Sequence, residues 1–396
     1  MPEFCKTLKT SALVCFLTLL PAASFGQHYQ QTNLVSNVPK EFPNPGNTPP
    51  VKPDPAMQNP WGLVAGPGTP FWDSNNGSGT STLYDGTGAL LPLNQGGQTF
   101  NGMPVPQNGI LVPNAPSQPA PGSPTAVMFN GSGTDFLIQG NPAIFIYATE
   151  DGTISGWAPN AYGGNFLSAI IVVDNSQMPN AKNGAVYKGA TIVEIHGKKY
   201  ILAANFRSGL IDVFDSKFHQ VSIDDDAFDD DQMPKDFAPF NVQAIGPNIY
   251  VTYAKQDATK HDPIGGAGLG RVSIFSPDGK LLGRLEHGSF FDAPWGITLA
   301  PGSFGEFSHT LLVGNFRNGW IDAFNPLTGK FMGLLLQQNS KHPVKIDGLW
   351  ALVFGNDSNN APATTLYFTA GPDKEKNGLF GTLTPDPNEQ GDGDEQ

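Results

Sequence analysis

Cysteine is almost missing from this chain: of 396 residues only Cys5 and Cys15 carry a thiol, and both fall in the first 26. Those 26 residues have the layout of a secretory signal: Lys6 and Lys9, an apolar run from Ala12 to Leu20, then Pro21 and small residues ending in Gly26. A chain cut there has no thiol, which excludes disulfides, cysteine metal sites and a cysteine nucleophile. It is expected to be exported to a bacterial periplasm or beyond and to act as a monomer. No later stretch approaches the ~18 continuous apolar residues of a membrane-spanning helix. Charge is scarce too, at 14% of residues, and basic charge most of all, with 22 Lys and Arg against 35 Asp and Glu. The net charge of −13 becomes −14 once Lys6, Lys9 and Glu3 leave, which argues against nucleic acid or an anionic membrane as partner. Also missing are Gly-x-Ser-x-Gly, His-Glu-x-x-His and an EF-hand loop, and the run Gly265 to Gly270 lacks the Lys-Ser/Thr of a phosphate loop.

What the chain has in plenty is glycine, 47, and proline, 36, which suits many short strands with tight turns and disfavours long amphipathic helices. One phrase recurs. In its clearest copy Pro294-Trp295-Gly296-Ile297 opens a strand, Leu311 to Gly314 is a second, Asn315-Phe316-Arg317-Asn318-Gly319 is a loop, and Trp320 to Phe324 is a third. Asn325-Pro326-Leu327-Thr328-Gly329 then turns the chain into a fourth. Related copies are anchored at Trp61, Thr125, Lys188, Phe240 and Trp350, and the six anchors lie 52 to 64 residues apart. Six such units predict an all-β, six-bladed β-propeller of four-stranded blades. It is expected to occupy residues 27–384 as a single domain, followed by an acidic tail over 385–396. The last unit stops after three strands, so Tyr29 to Ser36, a strand-like segment ahead of the first unit, is predicted to complete it and close the ring. The proline-rich stretches Pro39 to Pro60 and Asn101 to Pro124 read as surface loops or covers.

In an antiparallel blade the start of strand one lies beside the end of strand two, so the anchors and the second-to-third loops share one face near the axis. Four anchors, Trp61, Phe240, Trp295 and Trp350, suit stacking on a planar ligand or sugar ring, with Lys188 as a cationic point and Arg207 and Arg317 on the loops. The plainer alternative is that these aromatics pack the blade tops. Glu150, Asn205, Asp257 and Asn315 would turn oxygens toward the same opening, a set suited to Ca²⁺, although Lys188 would oppose a cation and Asn in such turns often bonds its own backbone. The insertion from Lys255 to Pro263 reads as a lid carrying His261, a general base only if it has a partner that the sequence does not identify. Asp224 to Asp226 and Asp229 to Asp231 read as a solvated blade edge.

Several of these segments together resemble a family of uncharacterised bacterial exported proteins: Asn59-Pro60-Trp61-Gly62-Leu63, Ala148 to Trp157, Ala203-Ala204-Asn205-Phe206-Arg207, Tyr253 to Asp257 with Lys260-His261-Asp262, and Phe368 to Pro372. The similarity runs through nearly the whole mature chain. Some relatives there end in a PEP-CTERM sorting segment, which this sequence does not show. That family resembles the wider NHL-type and TolB-like propellers, which include protein-binding modules as well as calcium-dependent lactonases and phosphotriesterases. The resemblance implies the fold and assigns no catalytic residue. Three functions stay open on these grounds: a propeller binding a protein or small molecule through the aromatic axial face, a Ca²⁺-dependent hydrolase or lactonase at the axis, and a structural envelope protein.

Overall fold

The computed structural model describes residues 28–387 apart from 165. The expected signal at 1–26 and the expected tail from 388 onward lie outside the described residues; at 385–387 the tail is not yet free, since Pro385 ends a strand and Asp386 is buried.

Six small sheets, antiparallel apart from two short parallel pairings to His28–Ser36 in the last, stand around an axis as the blades of a propeller. Their innermost strands are Pro60–Val64, Pro124–Phe129, Tyr187–Ile195, Phe237–Ile245, Pro294–Leu299 and Leu349–Phe354, each at the end of its sheet and each touching its neighbours around the ring. The strands are rich in Val, Ile, Phe and Tyr, which fit a pleated surface buried on both sides, and facing blades interlock through them. Blade six places Ile346, Leu349, Leu366 and Phe368 against Leu312 and Ile321 of blade five.

Turn chemistry repeats with the blades. Asn75, Asn205 and Asn315 each end a second strand and accept, on the backbone carbonyl, the N–H of a glycine four residues on, Gly79, Gly209 or Gly319. Each of these glycines has a positive φ, where a side chain would be strained.

The ring closes as the sequence predicts. His28–Ser36 pairs antiparallel with Leu379–Pro385, from Tyr29 opposite Pro385 to Ser36 opposite Leu379 with a register shift between Asn33 and Val35, and becomes the fourth strand of blade six. Closure covers the edge that Leu379–Pro385 would otherwise expose.

Two expectations change. The proline-rich stretch after Asn101 is not all loop, because Gly109–Leu111 within it is the outer strand of blade one. The acidic run is not wholly solvated: Asp230 is buried, accepts a hydrogen bond of 2.6 Å from the Ser273 hydroxyl and is gripped by the Arg284 guanidinium.

Candidate functional site

At one end of the axis the anchors meet. Trp61 stacks on Trp350 with ring centroids 3.6 Å apart, and Trp350 stacks on Phe316 at 4.0 Å. Trp295 meets both tryptophans edge-on, at 6.1 and 5.8 Å. Phe240 lies against Phe206 at 5.4 Å and against Trp350 at 5.9 Å. All of these rings are buried. The aromatic anchors are therefore brought together, and they face one another rather than an incoming ligand: they plug the axis. Trp295 Nε1 donates to the Lys188 carbonyl at 2.7 Å, fixing blade five to blade three.

The plug can form because the residue after each anchor is small or tucked away. Gly62, Ala126, Gly189, Asn241, Gly296 and Ala351 follow the six anchors. A Cβ on Gly296 would lie 2.3 Å from the Trp350 carbonyl oxygen, and one on Gly62 would lie 2.8 Å from the Val127 nitrogen. Backbones this close leave only a narrow neck on the axis below the rings.

Lys188 lies on top of the plug. Its side chain is 1% exposed, its ammonium is 5.2 Å from the Trp61 ring centroid, and it bonds Glu150 directly and Asp262 at 3.3 Å. From there hydrogen bonds run across the mouth in both directions. His261 Nδ1 meets Asp262 Oδ1 at 3.0 Å. On the other side Asn76 donates to Glu150 at 2.8 Å, Asn59 donates to Asn76 at 3.3 Å and to Glu375 at 3.2 Å, and Trp350 Nε1 donates to Asn59 at 2.9 Å. Every blade's second-to-third loop thus brings polar groups to this end: Asn76, Glu150, Arg207, Asp262, Arg317 and Glu375 in ring order.

The electrostatics follow from that crowding. Burial pushes the Asp151 carboxyl up to about 6, against the pull of the Ser123 N–H and with Glu150 adding to it. Glu375 is raised as well, first by burial and then by Glu150. Asp262 goes the other way, held far below the usual carboxylate range by the hydrogen bond from His261, with the Lys188 charge assisting.

The remaining predicted residues sit apart from this chain of contacts. The Asn205 amide oxygen accepts the Val186 and Ser208 N–H groups while its NH₂ donates to Asp212; Asn315 accepts from the Asp292 N–H and donates to Asp322. Asp257 ties its own loop, accepting from the His261 N–H at 2.9 Å and the Thr259 hydroxyl at 2.7 Å. These oxygens serve their turns. The group that does converge is Glu150, His261 and Asp262, whose ligand atoms lie within 4.8 Å of one another. Two of the three already hold the Lys188 ammonium, so a divalent ion would have to displace it. Arg207 donates to the Gly184 carbonyl at 2.9 Å, and Arg317 covers the Phe316 ring and donates to the Pro263 carbonyl at 2.7 Å. The expected lid is braced by that last bond and by the pairing of Pro263–Ile264 with Lys255–Gln256.

Asn59 and Glu375 were not among the sequence candidates. Glu375 ends a run, Asp373-Lys374-Glu375, in which all three residues have positive φ, a conformation costing about 1–2 kcal/mol per residue outside glycine. In sequence the segment reads as an ordinary charged surface turn.

Fold and site together define a six-bladed β-propeller with a sealed axis and a charged mouth. No family model matches the chain. It is 30% identical over 341 residues to an uncharacterized protein of Acanthamoeba polyphaga mimivirus, covering 84% of this chain and 76% of that one, and belongs to the same family. A second uncharacterized mimivirus protein is 28% identical, covering 84% of this chain and 82% of its own length. The relatives found are thus viral, whereas the sequence resemblance pointed to bacteria. Among solved structures, a streptogramin B lyase has a TM-score of 0.46 at 11% identity, covering 91% of this chain and 98% of that one. A glucose dehydrogenase has the same TM-score at 12% identity, covering 82% and 96%. Likeness at this level carries nothing about activity.

Proposed function

We propose that this protein is an exported binding propeller that receives the cationic group of a small molecule or peptide, an amine or a guanidinium, in the charged mouth above the aromatic plug. The observation that carries this reading is the run of carboxyl groups across the mouth: Glu150 and Asp262 on the Lys188 ammonium, and Glu375 linked to Glu150 through Asn59 and Asn76. The strained turn that presents Glu375 supports it, since such conformations gather at working sites. Binding through exposed aromatic faces is not part of the proposal, because the rings are buried against one another. The export component rests on the composition of residues 1–26.

The test is thermal unfolding of the mature protein with spermidine and, separately, with Ca²⁺ or EDTA, since a ligand of the folded state raises the midpoint. A rise with spermidine that is lost in Glu375→Gln is expected, with no comparable rise for Ca²⁺. A Ca²⁺-dependent rise removed by EDTA and by Glu150→Gln would replace this reading with the metal-dependent one. No shift with either would refute a cation site at the mouth.

A further inference from the structure

The opposite end of the axis is open. Below the neck the inner strands spread apart into a cavity of about 510 Å³, lined at successive blades by Val64, Phe129, Ile192, Ile245, Leu299 and Val353. Exposure rises toward these strand ends, which marks the cavity as open to solvent on the face away from Lys188. The neck itself holds only about 40 Å³ and ends against Trp295 and Asn241. The cavity is therefore a blind cup, closed at its base by the aromatic plug.

Its chemistry is distinct from that of the mouth. None of the lining residues is charged. The side-chain polar groups are the hydroxyls of Thr191 and Thr298 and the amide of Gln243. Thr191 already accepts the Ala244 N–H at 3.3 Å, while the Gln243 amide has no partner among the described residues. The inner strands add backbone groups, because each is paired on one side only and turns its free edge to the axis. An aliphatic wall with a few hydrogen-bonding positions, in a cavity of this volume, has the make-up of a small-molecule site.

We infer that this cup is a second binding site, independent of the mouth, for an uncharged molecule with a largely apolar body and at least one hydroxyl or N–H group. An ionised ligand is excluded by the same features, since its charge would be desolvated with no opposite charge to meet it.

Two dyes that share a skeleton test this directly. N-phenyl-1-naphthylamine is neutral with one N–H, and anilinonaphthalene sulfonate is its anionic counterpart. Fluorescence titration of the folded protein should give saturable, single-site binding of the neutral dye, with the sulfonate weaker by about tenfold or more, the factor that ~1.4 kcal/mol of uncompensated desolvation produces. Thr298→Phe and Leu299→Trp, which fill the cup from blade five, should each weaken the neutral dye by at least about tenfold, with circular dichroism verifying that each variant is folded. Glu375→Gln should leave that binding unchanged. Equal affinity for both dyes, non-saturable binding, or full binding in either folded filling variant would overturn the inference.

Discussion

Gly296 carries more of the architecture than its size suggests. It sits directly after Trp295 where two inner strands nearly touch, and its hydrogen is all that the Trp350 carbonyl leaves room for. Gly296→Ala is expected to cost about 1–3 kcal/mol, the usual range for forcing volume into a packed core, read as a lower denaturant midpoint at unchanged slope. An unchanged midpoint would mean that the inner strands can move apart freely. The anchors themselves were legible, because Pro-Trp-Gly recurs with neighbours of fixed type. Their role was less so: composition says that Trp61, Trp295 and Trp350 share a face, but only packing decides whether rings turn to each other or to solvent. Lys188 illustrates the same limit. It was placed at the mouth from its position in the repeat, yet its partners Glu150 and Asp262 lie 38 and 74 residues away along the chain, a relation no local pattern reveals.

At the level of the element, the strand His28–Ser36 holds the ring shut. Without it Leu379–Pro385 would keep one neighbour and expose an unpaired edge between Leu366–Ala370 and solvent. A chain beginning at residue 37 is expected to lose cooperative unfolding and to associate through that edge, seen as a broadened transition and larger species in size-exclusion chromatography. Adding a peptide of residues 28–36 should restore the elution profile of the full chain; a truncated chain that elutes without larger species and keeps a sharp transition would show that closure is dispensable. This strand was readable because the repeat count left blade six one strand short. The outer strand of blade one was not, since Gly109–Leu111 is brief and set among prolines that read as loop. The insertion from Lys255 to Pro263 was recognised as a lid, but its bracing by Arg317 depends on a residue from the next blade.

Across the whole molecule, buried carboxyls set the dependence of stability on pH. Burial pushes Asp73 up to about 8, more than the hydrogen bonds from Thr82 pull it down, and raises Asp322 to about 7 and Asp151 to about 6. In the unfolded chain such groups ionise near 4, so between about pH 4 and 8 the folded state binds more protons and stability falls as pH rises. Asp262, whose carboxyl is held low, contributes in the opposite sense and only in acid below that window. Denaturant midpoints should therefore be higher at pH 5 than at pH 8, and Asp73→Asn should flatten the decline; a midpoint that climbs over that interval would contradict the burial account. The hybrid blade has one more consequence, and it concerns time. The first described strand of the chain pairs with the last, so a ribosome finishes His28–Ser36 more than three hundred residues before that partner exists. Until Leu379–Pro385 emerges, that strand must wait for its antiparallel partner, and the propeller can lock only after synthesis of its final blade.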